Sequence, residues 1–137
     1  MVRRLERRGS RRSHGGRFAA FRSSGAGGPL KPGDVVVGAF PGAHATKTRP
    51  AVVLSTEDYH RHRPDVVVSL ITTQAPRPLA PTDCALRDWK QEGLHAASYS
   101  RLFPVTLSQH EVRLIGRLSD SDWESVRLCF KVGFGNW

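Results

Sequence analysis

Two clusters of reactive side chains flank a pair of apolar runs in this chain. Lys47, Arg49 and Pro50 lead into Ala51–Leu54, and Thr72, Thr73 and Gln74 follow directly on Val66–Ile71. A guanidinium presents a planar fork of donors that meets two oxygens of one phosphate. Its pKa above about 12 keeps it charged and makes it a poor base. A threonine hydroxyl donates and accepts, so Thr72 can bond a phosphate oxygen or orient a hydroxyl of a bound molecule. These residue types suit the holding of an anion. The plainer reading is also open: an arginine where a strand begins is more often a surface or ion-paired residue, and Thr-Thr after a strand is more often a turn or an edge pair.

Whether the clusters meet depends on the elements that carry them. If the two runs pair antiparallel, the start of one lies beside the end of the other. Arg49 and Thr72 then share one rim of a small sheet. Strands are predicted over Asp34–Phe40 (after the turn Lys31-Pro32-Gly33), Arg49–Ser55, Asp65–Ile71 and Cys84–Leu86, and around Ser98–Phe103 and Val112–Leu118. Pro50 confines Arg49 to extended backbone and removes one N–H, which a strand start tolerates. Pro41–Thr48 reads as a loop, Thr56–Pro64 as a charged connector, and Ala75–Thr82 as a loop broken by Pro76, Pro78 and Pro81. Strands this dense with no helix between them predict a mainly β fold, a small barrel or sandwich.

One helix is predicted after Leu118. Ser119 caps it and Asp122 imitates a capping box. Asp120, Asp122 and Glu124 lie early and Arg127 and Lys131 late, as the helix dipole prefers. Trp123, Val126, Cys129 and Phe130 form an apolar stripe, and Gly133 is read as the stop.

Charge is unevenly spread. Residues 1–33 carry nine Lys and Arg against Glu6, a net of +8, while residues 34–137 carry 12 against 11, a net of +1. The basic balance therefore describes a tail and not the body. Residues 1–30 are rich in Arg, Ser and Gly and poor in aliphatics, which predicts a disordered segment, either a solvated leader or a non-specific contact to RNA or membrane. No run reaches the length of a membrane span, and the start lacks the apolar core of a secretory signal. Cys84 and Cys129 lack metal-ligand spacing and read as reduced packing residues of a cytoplasmic protein.

Weaker candidates remain. His60 and His62, two apart, could hold a metal, but no third ligand is marked and a solvated connector explains them. His44 can exchange protons near neutral pH. Tyr99 and Arg101 could stack on and contact an unpaired base. Trp89 and Trp123 read as core or dimer anchors, and Phe134 and Trp137 as an exposed apolar patch.

The ordered array GDVVVGAF, TRPAVVLS, VSLITTQ, GLHAASYSRL and LIGRLSDSD resembles the MazF/PemK (Kid) toxins of type II toxin–antitoxin systems, from about Lys31 to Lys131. The resemblance implies a small SH3-like β-barrel (CcdB/MazF-like) with a C-terminal helix over 31–137, preceded by the disordered basic tail 1–30. It implies a sequence-specific, metal-independent endoribonuclease without cofactor, acting on single-stranded RNA. It makes Arg49 and Thr72 catalytic and places His44, Lys47, Thr73, Gln74, Ser98 and Arg101 on the RNA. It further implies a homodimer and a cognate antitoxin whose acidic disordered segment covers the RNA groove. Pro41–Thr48 departs from the family in carrying no carboxylate. Two other readings stay open: a non-catalytic, CcdB-like toxin that binds protein through its C-terminal aromatics, and a degenerate SH3-like binding module.

Overall fold

The computed structural model of the chain describes residues 29–41 and 45–135. The expectations for the tail before Pro29, for His44 and for Trp137 fall outside these residues. Six strands are present: β1 Asp34–Pro41, β2 Thr46–Val53, β3 Asp65–Thr72, β4 Asp83–Leu86, β5 Ser98–Ser108 and β6 Val112–Arg117. They form one antiparallel sheet in the order β4-β5-β3-β2-β1-β6. Two helices complete the described chain, α1 Glu57–His62 and α2 Asp120–Phe134.

The unbroken valine runs reflect burial on both faces of this sheet. One face packs Val36, Phe40, Ala51, Val53, Val66, Val68 and Val112 into an interior cluster. The other packs Val35, Val52 and Ile71 against Leu86, Leu94, Leu118 and Val126, so that α2 lies across it. The sheet curls around the first cluster. A Cβ at Gly38 of β1 would lie 3.1 Å from both Leu107 of β5 and Val112 of β6, strands that the sheet order separates by three others. The backbone ladder does not join β5 to β6. Buried Gln109, in the 3-10 turn that links them, anchors that turn to the end of α1 and the start of β3: its Nε2 donates to the carbonyls of His60, Arg63 and Asp65 at 3.2, 2.9 and 3.2 Å. The mainly β, SH3-like expectation with a C-terminal helix is met by a curled sheet whose ladder stays open.

Several local expectations are corrected. Thr56–Glu57 opens a helix inside the supposed connector, because the Thr56 hydroxyl accepts from Tyr59 N at 3.2 Å and Glu57 and Asp58 occupy the first turn. His60 is fully buried there: its Nδ1 meets the Leu30 carbonyl at 2.8 Å and its Nε2 meets Ser55 Oγ at 2.6 Å. The Leu30 carbonyl only accepts, so Nδ1 donates to it. β2 starts three residues early, at Thr46. Gly133 does not stop α2; it is a helical residue whose missing Cβ makes room for the Leu102 side chain, and Gly135 at φ +89° ends the helix. Ser119 caps the helix as expected, accepting from Asp122 N at 3.1 Å. The reciprocal bond to Ser119 N comes from Glu92 Oε2 at 2.8 Å and not from Asp122.

Candidate functional site

The interior face of the sheet changes character along two of its strands. On β2 the same-face residues run Val53, Ala51, Arg49, Lys47, from buried aliphatic to exposed cation. On β3 they run Val66, Val68, Leu70, Thr72. The β2–β3 pairs are Ala51↔Leu70, Val52↔Ser69 and Val53↔Val68, and carrying that register two residues further sets Arg49 across from Thr72. Pairing halts where Pro50, without an N–H, replaces a ladder donor. The strands part there, and a cleft of about 440 Å³ opens between them, lined by Phe40, Pro41, Ala45, Lys47, Arg49, Leu70, Thr72, Gln74, Arg101 and Phe103.

Five of the residues singled out from sequence thus share one cavity: Arg49, Thr72, Lys47, Gln74 and Arg101. Arg49 is half-buried and forms no ion pair among the described residues. Its charge is therefore not committed to a structural carboxylate. The Thr72 hydroxyl accepts from Gln74 N at 3.1 Å, a side-chain turn that folds Gln74 back over the cleft. Arg101 stands opposite Asp83 in the β4–β5 ladder and meets its carboxylate loosely, Nε to Oδ1 at 3.8 Å. Three cations and no carboxylate line the cavity, an arrangement that attracts phosphates.

Two expected members do not reach it. Ser98 is buried and donates to the Ala96 carbonyl at 2.8 Å; it begins β5 one residue beyond Tyr99, the partner of Thr72. Thr73 is exposed but does not line the cavity. Tyr99 pairs with Thr72 and Ala85 in the ladders and is half-buried.

Two contributors were missed from sequence. The β3–β5 register shifts between Ser69↔Pro104 and Ile71↔Ser100, leaving Arg101–Phe103 as an arch opposite Leu70. Buried Ser69 clips the arch: its hydroxyl donates to the Arg101 carbonyl in a short contact and accepts from Phe103 N at 3.3 Å. Arg101 and Phe103 face the cleft in consequence, while Leu102 between them turns to α2. The Phe103 ring remains 57% exposed, a stacking surface for an unpaired base. An aromatic inside a Ser-rich strand was the available signal.

A second reactive cluster lies on the opposite face. Oxygens of Asp88, Glu92 and Asp122 come within 4.8 Å of one another. Asp122 accepts from Arg87 N at 3.0 Å and Asp88 N at 2.9 Å. Glu92 Oε1 is buried without a partner. Burial, and then the neighbouring Asp122, push the Glu92 carboxyl up to about 7. A proton on Glu92 accounts for the arrangement, with both Asp122 oxygens already used by backbone.

Comparison with known proteins places this geometry. No curated sequence matches the chain significantly. Its fold is similar to an endoribonuclease in complex with its cognate antitoxin from a mycobacterial species (TM-score 0.62, 20% identity, covering 80% of this chain and 98% of that one). It is similar to the Mycobacterium tuberculosis toxin MazF-mt6 (TM-score 0.63, 21% identity, 76% and 99%) and to a MazE–MazF structure from Deinococcus radiodurans (TM-score 0.62, 18% identity, 79% and 98%). The sequence profile of the PemK-like, MazF-like toxins of type II toxin–antitoxin systems matches residues 31–134. With about three quarters of its length under that profile, the chain belongs to the PemK-like, MazF-like toxin family.

Proposed function

We propose that this toxin is an endoribonuclease that cuts single-stranded RNA in the Arg49–Thr72 cleft. The observation that carries the reading is a guanidinium, without an ion pair among the described residues, set across a parted strand pair from a threonine in a cavity lined by two further cations. Family membership and the endoribonuclease among its structural relatives support it. The substrate's 2′-hydroxyl loses its proton and attacks the adjacent phosphorus, and the crowded phosphorane-like anion that forms needs positive charge already in place. The P–O5′ bond then breaks, leaving a 2′,3′-cyclic phosphate and a 5′ oxygen that takes a proton from water. Arg49 takes the anion's two non-bridging oxygens, and Thr72 orients the 2′-hydroxyl or shares one of those oxygens. Phe103 stacks on a splayed base and Lys47 and Arg101 hold flanking phosphates. The described lining offers no carboxylate or imidazole for the 2′-hydroxyl proton. His44, in the 42–44 segment after β1, is the group there that exchanges protons near neutral pH.

The toxin domain spans 31–137, works as a symmetric homodimer in the cytoplasm, and is neutralised by an antitoxin whose acidic segment fills the cationic cleft. Among the described residues no helix is long and apolar enough to cross a membrane. Cleavage of a mixed-sequence single-stranded RNA by the purified chain in EDTA tests the reading. Arg49→Ala should cut about 100-fold or more slowly. Intact RNA with the wild-type chain, or equal rates for the two proteins, overturns it.

A further inference from the structure

One side of α2 brings the second of two thiols toward the first. Asp122, Val126, Cys129 and Gly133 fall at i, i+4, i+7 and i+11, one stripe of α2. That stripe runs along β4 and the residues beside it. At one end Asp122 accepts from the N–H groups of Arg87 and Asp88. In the middle Val126 packs with Leu86 and Cys84. At the other end a Cβ on Gly133 would stand 3.3 Å from Thr82 Cγ2. Seven residues of helix from Asp122 rise about 10 Å, and three residues of strand back from Arg87 cover about the same. Cys129 therefore comes level with Cys84, on the side of α2 that faces β4. They are the only two cysteines of the chain, both free and both half-buried.

We propose that Cys84 and Cys129 are a modification site, closing a reversible intrachain disulfide that staples α2 to the edge strand β4 when a peroxide oxidant is present. Hydrogen peroxide is small enough to reach half-buried sulfur. The Cys129 thiolate attacks one peroxide oxygen; the O–O bond breaks, hydroxide leaves and takes up a proton as water, and Cys129 becomes a sulfenic acid. Cys84 sulfur then attacks that sulfur. The S–S bond forms as the S–O bond breaks, and the leaving hydroxyl takes the Cys84 proton as a second water. The two thiols are oxidised by two electrons and the peroxide is reduced by two. The order of attack follows from Cys84 itself, which burial first, then Cys129, Asp122 and Asp83, hold protonated, its pKa pushed up to about 12. Cys84 is accordingly the poorer nucleophile toward peroxide and serves as the resolving thiol. The inference stands apart from the RNA-cleavage reading, since it needs neither Arg49 nor Thr72.

The test treats the full chain with a few equivalents of hydrogen peroxide and reads it by intact mass, thiol alkylation after denaturation, and peptide mapping. The expected product has lost two hydrogens and both alkylatable thiols, joins the peptides bearing Cys84 and Cys129, melts about 5 °C or more above the reduced chain, and reverts with dithiothreitol. Cys84→Ser should remove the hydrogen loss and leave Cys129 to accumulate oxygen adducts. A wild-type chain that keeps two alkylatable thiols, gains oxygen on each sulfur separately, or links only to other chains overturns the proposal.

Discussion

At the scale of single residues, the proposed site divides into groups that would touch a phosphate and groups that aim them. Thr72 does both, because its hydroxyl faces the cleft and also accepts from Gln74 N. Thr72→Ser keeps both uses and should retain RNA cleavage within about 10-fold, whereas Thr72→Val, matched in shape, should fall about 100-fold; initial rates on one RNA measure the split. Ser69 only aims. Ser69→Ala leaves the Arg101 carbonyl and the Phe103 amide without their clip, in a buried place where each lost bond costs about 1–3 kcal/mol. It should weaken RNA binding while Arg49 stays in place, so KM rises more than kcat falls. Arg49 and Thr72 were legible from sequence because each abuts an apolar run that betrays its strand. Ser69 and Phe103 were not, since their importance comes from a register shift between strands more than 30 residues apart.

At the scale of elements, α2 and the 87–94 turn hold each other. Asp122 closes the turn, Glu92 closes the helix cap, and one proton settles the two carboxyls. The Glu92 carboxyl titrates higher in the folded chain, about 7, than its ordinary 4.5. The folded state thus binds more protons between those values, and stability from this group is full below about 4.5 and lost as pH rises toward 7. Glu92→Gln keeps a donor toward Asp122 and an acceptor for Ser119 N at every pH. Relative to that variant the wild-type chain should lose up to about 3 kcal/mol between pH 4.5 and 8, read from denaturant midpoints across the range. The helix itself was legible because its cap and charge gradient are local. Its true partner Glu92 was not, lying 27 residues before Ser119. The short α1 was masked by charge: TEDYHRH reads as solvated until His60 is seen buried under Leu30.

At the scale of the molecule, the body carries almost no net charge and the cleft carries three cations. RNA affinity should owe its salt dependence to that cleft and to the basic residues before Gly33. Removing Lys47 as Lys47→Ala should lower the slope of log K against log salt by about 0.7, the share of one phosphate on a single strand, as filter binding across a salt series would show. The graded face of β2 has a further consequence. Val53 and Ala51 seal the interior with the same side of the strand that presents Arg49 and Lys47. A slip of one residue turns every side chain over, wetting the valines and withdrawing the guanidinium together. On the proposed reading, a copy that mispairs this strand loses its core and its cutting edge in one step, so only molecules that have assembled correctly can be toxic.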